Sequence, residues 1–162
     1  MKPIKVAQIG TMHDHADQTL RSLTDLKEYF DVVGIAEPEE IGKERLGNKF
    51  FKDVPHYTVE ELLKMDDLEA VTIETQEESA TYYAQLFAEK GIHVHLDKPG
   101  SQNRESFEKL VATLRSHNAV FQQGYMYRYN PIVIDALKRV KNGELGEIFS
   151  VEAQMSVHHP KQ

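Results

Sequence analysis

Lys98 stands between Asp97 and Pro99 in the stretch HLDKPGS, at the end of an apolar alternation that begins at Ile92. A lysine in that place serves no core. Proline stops a strand and restricts the residue before it to extended backbone, so the ammonium is aimed past the strand end. There it can hydrogen-bond hydroxyl groups. A neighbouring carboxylate would keep it charged, whereas desolvation would lower its pKa toward proton transfer. The plainer alternative is a surface salt bridge beside a turn proline.

A second group of residues lies near the N-terminus, in VAQIGTMHDHAD (Val6 to Asp17). An apolar run closes at Gly10 and a helix pattern follows, as where a dinucleotide-binding chain places Gly-x-Gly-x-x-Gly. The first glycine of that motif makes the tight turn, the second lets backbone approach a pyrophosphate, and the third lets helix pack on strand. Gly10 meets the first demand, while Met12 and His15 occupy the other two positions. Thr11, Met12 and His13 complete the turn, and the helix N-terminus behind it attracts phosphate. Glu37 lies 22 residues beyond His15 (37 − 15), at the tip of the next strand. A carboxylate there accepts hydrogen bonds from a ribose diol and repels a 2′-phosphate, which favours NAD. Lys43 and Arg45 keep NADP open, because a nearby cation can offset that repulsion.

His-x-His occurs twice, at His13/His15 and His93/His95. Strand alternation puts the second pair on one face. Four histidines would suit zinc, but His93 falls at a strand start, far from the Gly10 turn, so no metal site is expected. His13 and His15 are read either as lining the crevice or as solvated helix-start residues. No Ser-His-Asp arrangement and no Gly-Lys-Ser phosphate loop occurs.

Alternating elements must position these groups. Strands are predicted at Ile4–Gly10, Asp31–Glu37, Leu68–Thr75 and Ile92–Pro99, with a further one in AVFQQGYM. Helices are predicted in HADQTLRSLTDLKEYF, PEEIGKERLGNKF, TVEELLKM, EESATYYAQLFAEKG and NRESFEKLVATLRSHN; Thr58 and Glu61 have capping-box spacing. Strands separated by helices imply βαβ crossovers and a mainly parallel, doubly wound α/β sheet, with ligands beyond the strands' carboxyl ends. After about residue 125 the pattern changes. NPIVIDALKRVKNGELG reads as a helix and turn, and the alternation from Glu147 onward as a strand in need of a partner. The expected organisation is a dinucleotide-binding domain over 1–125, then a linker helix and the first strand of a second, α+β domain over 126–162. The YMYRY segment is read as a packed strand end beside the crevice, not as a nucleic-acid stacking platform.

Composition narrows the function classes. In 162 residues, 40% are hydrophobic and 28% charged, as in globular domains. A formal charge of −7 disfavours nucleic acid. No apolar run is long enough to span a membrane. The chain lacks cysteine, which excludes thiol chemistry and disulfides and fits a cytoplasmic protein with a small-molecule substrate.

These segments together resemble the Gfo/Idh/MocA family of oxidoreductases (glucose-fructose oxidoreductase, inositol dehydrogenase). The resemblance rests on Gly10-Thr11-Met12, Thr75-Gln76-Glu77, GIHVHLDKP (Gly91 to Pro99), GYMYRYNP (Gly124 to Pro131) and GELGEIFSV (Gly143 to Val151), in family order. It implies a Rossmann domain binding NAD(P), with Lys98 beside nicotinamide and substrate as the catalytic residue. Thr75 falls near the ribose-phosphate and Arg128 near the nicotinamide end, Asp97 and Pro99 flank the lysine, and the Lys98–Pro99 bond is of a kind often cis in the family. The family's catalytic Asp and His belong to a C-terminal domain beyond this chain, which also commonly forms a homo-oligomer interface. Departures are Met12 and His15 for glycines, Gln76-Glu77 for Pro-Asn, Asp97 for Glu, and Ala80 where His is common.

The resulting expectation is a dehydrogenase transferring hydride between NAD(P) and a sugar, cyclitol or related hydroxyl compound. The alternative is a non-catalytic Rossmann module with weakened cofactor affinity. A hydrolase that uses tightly held NAD is a third reading, smaller than the other two.

Overall fold

The computed structural model describes residues 2–156. Five parallel strands form one sheet in the order β2-β1-β3-β4-β5: β1 Ile4–Ile9, β2 Phe30–Ala36, β3 Ala70–Ile73, β4 His93–Leu96 and β5 Phe121–Gln123. The helices are α1 Ala16–Asp25, α2 Val59–Leu62, α3 Glu77–Ala88, α4 Arg104–Ser116 and α5 Pro131–Lys141. Beyond β2 the chain adds a single parallel bridge, Ile35 to His56, held by Ile35 N–H to Pro55 O and Tyr57 N–H to Ile35 O, both 2.9 Å. Counting that bridge as a minimal strand, the order is that of a six-strand dinucleotide-binding sheet. The sequence reading missed it because one bridged residue leaves no alternation to detect.

Apolar side chains at successive strand positions diverge to separate clusters, as the pleat requires. Ile35 packs with Ala16, Leu20 and Phe51, whereas its neighbour Ala36 joins Ile9, Ile73, Leu96 and the buried residues of α2, α3 and α4, including Phe87 and Leu110. Burial of these strands explains their near-continuous apolar sequences. Thr58 and Glu61 form both halves of the expected capping box.

Three local expectations change. PEEIGKERLGNKF forms a 3₁₀ segment, Glu40–Gly47, and Pro38 precedes it. Two glycines weaken any α-helix there, and Gly42 is required where it stands: a Cβ would come 2.3 Å from the Glu37 carboxyl carbon. Phe30, read as the last helical residue, instead begins β2, since α1 ends at Asp25. YMYRY is a 3₁₀ turn, not a packed strand end, and Tyr125, Tyr127 and Tyr129 are each more than half exposed.

The chain divides into two compact units, 1–124 and 125–162. The second carries α5, capped by Asn130 with Pro131 at its first position, and exposes Ile132, Ile134 and Leu137. The strand expected from Glu147 onward is not formed through Ser156. A strand's peptide groups need a ladder partner, and none pairs with this segment among the described residues. His158 and His159 lie outside the described residues.

Gly10 carries the closest backbone approach in the sheet. Its φ is +92°, and a Cβ would meet Thr75 N at 2.5 Å and Glu74 C and O at 2.7 Å. Gly10→Ala is therefore expected to destabilise the fold by about 2–4 kcal/mol, with Gly47→Ala near neutral, as measured by urea unfolding. Nothing lies within 4 Å of a Cβ at Gly47.

Candidate functional site

Sheet register decides the site. Ala36, Ile9, Ile73 and Leu96 pair in one row across β2, β1, β3 and β4, with Gln123 of β5 beside Leu96. One residue further on, each chain leaves the sheet at Glu37, Gly10, Glu74, Asp97 and Gly124. Three carboxylates thus share one crest, all buried: Glu37 8%, Glu74 0% and Asp97 6% exposed. Between β1 and β3 the strand order reverses, and α/β sheets bind ligands at such a switch point.

The turn after β1 is fastened over this crest. Gly10 N–H donates to Ala36 O (2.7 Å) and His13 N–H to Glu74 O (2.9 Å). Gln8 is fully buried, and its side-chain amide donates to Gly10 O and Ala16 O, tying the strand end to the start of α1. Thr11 donates from both its N–H and its hydroxyl to Glu37 Oε2, each at 2.6 Å. Glu37 Oε1 accepts the Glu39 N–H at 2.8 Å. Of the roughly four acceptor directions of a carboxylate, Glu37 thus has three engaged within the protein. Sequence had offered this carboxylate to a ribose diol; the structure places it first as the clamp of the turn.

Glu39 was not singled out by sequence. It accepts from the Gln76 N–H (3.0 Å) and the Ser79 hydroxyl (2.6 Å), and so closes the N-terminus of α3. Only its position two residues beyond Glu37, at the start of the Gly42-containing segment, could have drawn attention to it. Arg45 reaches back toward the turn, 3.5 Å from Met12 O. Met12 is half-buried, and Thr75 is buried with its hydroxyl on Gln76 O at 3.2 Å.

The histidines of the turn meet the β4 end. His15 Nδ1 lies 2.8 Å from Asp97 Oδ2, and His13 Nδ1 lies 3.2 Å from the same oxygen and 3.5 Å from Glu74 Oε2. His13 Nε2 faces Lys98 O at 3.0 Å, and Asp97 Oδ1 accepts the Lys98 N–H at 2.5 Å. The Asp97 hydrogen bond, then the Glu74 carboxylate 3.5 Å from the ring, raises the His13 pKa to about 10 against the opposing effect of burial. Burial pushes the Asp97 carboxyl up, but hydrogen bonds from His13, the Lys98 N–H and His15 outweigh it and hold the group at about 2. The His15 N–H also points at His13 Nδ1, at 3.2 Å, a contact suited to a neutral ring. Two buried carboxylates beside one imidazole decide for the cation.

Lys98 is half-exposed at the end of β4, and the Lys98–Pro99 bond is cis. Asp97 does not pair with its ammonium, as the sequence reading allowed. Adjacent side chains of an extended chain diverge, and Asp97 turns inward to the histidines, where Gly124 makes room: a Cβ there would sit 2.6 Å from Asp97 Oδ1. Pro99 is exposed, and its carbonyl accepts from Gln123 at 3.0 Å. The second histidine pair stays apart from the first: His93 Nδ1 accepts the Val120 N–H at 3.1 Å and His95 lies against Gln122 at 3.3 Å. Arg128 belongs to the second unit, where it is exposed. No helix among the described residues is long and apolar enough to cross a membrane.

The His13–Asp97 contact makes stability depend on pH in a signed way. His13 is raised from 6.5 to about 10, so its contribution is complete below pH 6.5 and is lost as pH rises toward 10. Asp97 is lowered from 3.8 to about 2, so its side of the same contact holds above pH 3.8 and is lost as pH falls through 2. In metal-free buffer the urea midpoint should decline on the alkaline limb, and His13→Gln should flatten that decline.

Comparison with known proteins agrees with this fold. Residues 4–125 match the oxidoreductase family described by its NAD-binding Rossmann fold, Gfo/Idh/MocA. An uncharacterized oxidoreductase, YhhX of Escherichia coli K12, is 27% identical over 107 residues, 65% of this chain and 31% of its own. The 2,7-anhydro-N-acetylneuraminate hydratase of Mediterraneibacter gnavus is 24% identical over 148 residues, 91% of this chain and 38% of its own. The crystal structure of myo-inositol 2-dehydrogenase from Lactobacillus plantarum superposes with a TM-score of 0.76 at 23% identity, over 91% of this chain and 43% of that one. The chain spans less than half the length of these proteins. The family match extends over most of its residues, and the chain belongs to the Gfo/Idh/MocA oxidoreductases.

Proposed function

We propose that this chain is the cofactor-binding part of an NAD(P)-dependent dehydrogenase acting on a sugar, cyclitol or related hydroxyl compound. The observation that carries the reading is the Gly10 turn fastened over the β1/β3 switch point, with the Lys98 ammonium free of Asp97 at the end of the next strand. The chemistry of the turn fits a dinucleotide: a helix start for the pyrophosphate, and Gly10 and Thr11 where backbone and ligand come close. Thr75 and Arg128 are assigned to the cofactor by resemblance to the family. Bound nicotinamide supplies the hydride chemistry. Lys98 then orients the substrate hydroxyl and relays its proton, while residues of a further domain complete the site.

Glu37 and Glu39 make the β2 end negative and support NAD over NADP, since a 2′-phosphate would meet carboxylates already closed on backbone amides. Arg45, turned to Met12 O, works in the opposite sense. Cytoplasmic location and assembly into a homo-oligomer complete the proposal; both stand on composition and family resemblance.

One specific feature favours a second reading, a Rossmann module that binds cofactor weakly. Met12 stands where the pyrophosphate approaches, and the Thr11 N–H is already held by Glu37. Calorimetry with NAD, NADH, NADP and NADPH separates the two. Micromolar NADH binding that exceeds NADPH binding supports the dehydrogenase. No heat in wild type, with binding recovered in Met12→Gly, supports the module. For catalysis, Lys98→Ala should lower kcat by about 100-fold or more, the range of a lost proton-transfer group, with little change in NADH affinity by fluorescence titration. Retained turnover in that variant would remove Lys98 from the reaction.

A further inference from the structure

We infer that His13, His15 and Asp97, with Glu74 beside them, form a binding site for a divalent first-row transition metal of the zinc class. The three donors come from the turn after β1 and the end of β4, and among the described residues they are the one group of three histidine or acidic side chains with ligand atoms close enough to share an ion, all within 4.8 Å. Zinc bonds of about 2.0–2.2 Å in tetrahedral array set donor atoms roughly 3.4 Å apart. The His13 Nδ1 to Asp97 Oδ2 distance of 3.2 Å is near that value, and the His15 Nδ1 to Asp97 Oδ2 distance of 2.8 Å needs to open by only a few tenths of an ångström.

The surroundings have the form that metal ligands take. A metal-bound histidine donates its other ring N–H to a carbonyl or carboxylate, which fixes the ring and the free lone pair. His13 Nε2 faces Lys98 O at 3.0 Å, leaving Nδ1 toward Asp97. Asp97 Oδ1 is held by the Lys98 N–H, leaving Oδ2 toward both histidines. Binding replaces the 3.2 Å contact of the His15 N–H with His13 Nδ1. His15 keeps about a quarter of its side chain exposed (27%), which opens a path from solvent.

Glu74 is the independent observation. It is fully buried, neither oxygen has a hydrogen-bond partner, and Oε2 lies 3.5 Å from His13 Nδ1. A buried carboxylate without a donor is costly. A dication held by two neutral imidazoles and Asp97 keeps one positive charge, and Glu74 beside His13 brings the sum to zero, which accounts for a second acid where one would satisfy the histidines. Nitrogen and oxygen donors together select zinc, cobalt, nickel or iron over calcium and magnesium, which take oxygen alone.

The test is titration of chelator-treated protein with Co²⁺ followed by visible absorption, and with Zn²⁺ followed by competition and thermal unfolding. One equivalent per chain, with d–d bands of a four- or five-coordinate cobalt centre and a raised Tm, is expected. His15→Gln, at a partly exposed N-cap whose side chain makes no capping hydrogen bond, should weaken binding beyond the 10–100-fold that loss of a supporting outer contact costs. Glu74→Gln should weaken it while keeping the side chain's shape. Absence of stoichiometric binding, or binding unchanged in both variants, overturns the site. NADH titration of the same metal-free protein reads the cofactor proposal separately, so either can fail alone.

Discussion

The close docking of Gly10 onto the Glu74–Thr75 backbone is the constraint on which the rest of the structure depends. Parallel register brings β1 and β3 side by side with Ile9 opposite Ile73, and the β1 chain must then turn away immediately above the β3 end. Only a residue without a side chain, at positive φ, can do so. Once it has, the His13 N–H reaches Glu74 O, Gln8 binds the start of α1, and the turn lies flat across the crest. The contacts of Thr11 with Glu37 and of His13 with Glu74 and Asp97 follow from that placement.

The crest is unusual in its charge. Three buried carboxylates leave the sheet in one row, and each is compensated differently. Glu37 takes peptide N–H groups and the Thr11 hydroxyl, Asp97 takes two histidines and a peptide N–H, and Glu74 accepts no hydrogen bond and has only His13 near it, at 3.5 Å. An anionic cofactor approaching such a surface must be met by amides of the turn and by cations near it. His13 and Lys98 are the groups at hand. The same arithmetic gives a reason for His15 where the motif has glycine: a small residue there would leave Asp97 with one histidine partner instead of two.

The departure at His15 thus has a structural reason, its contact with Asp97, that does not require loss of cofactor binding. The glycine that shapes the fold is retained, whereas His15 at a changed position faces the crest. Glu37, clamped on Thr11, couples the β2 end to the turn through one carboxylate. Glu39 extends this coupling to the start of α3.

Alternation of apolar runs with helical periodicity was enough to identify a parallel α/β sheet, and the family segments around Gly10, Lys98 and Gly124 were enough to place a nucleotide domain on it. Local signals such as the Thr58–Glu61 box and the Pro99 strand stop act over a few residues, which is why they could be read directly. The inward turn of Asp97, the clamp made by Glu37 on Thr11 and the approach of His13 to Glu74 could not. They join residues 26 to 84 positions apart, and whether such residues meet depends on which strands neighbour each other and in what register. A slip of one residue in that pairing would send the same side chains to the opposite face. Residue types and their order therefore determined the class of fold and the kind of chemistry; tertiary register alone decided which charges share a site.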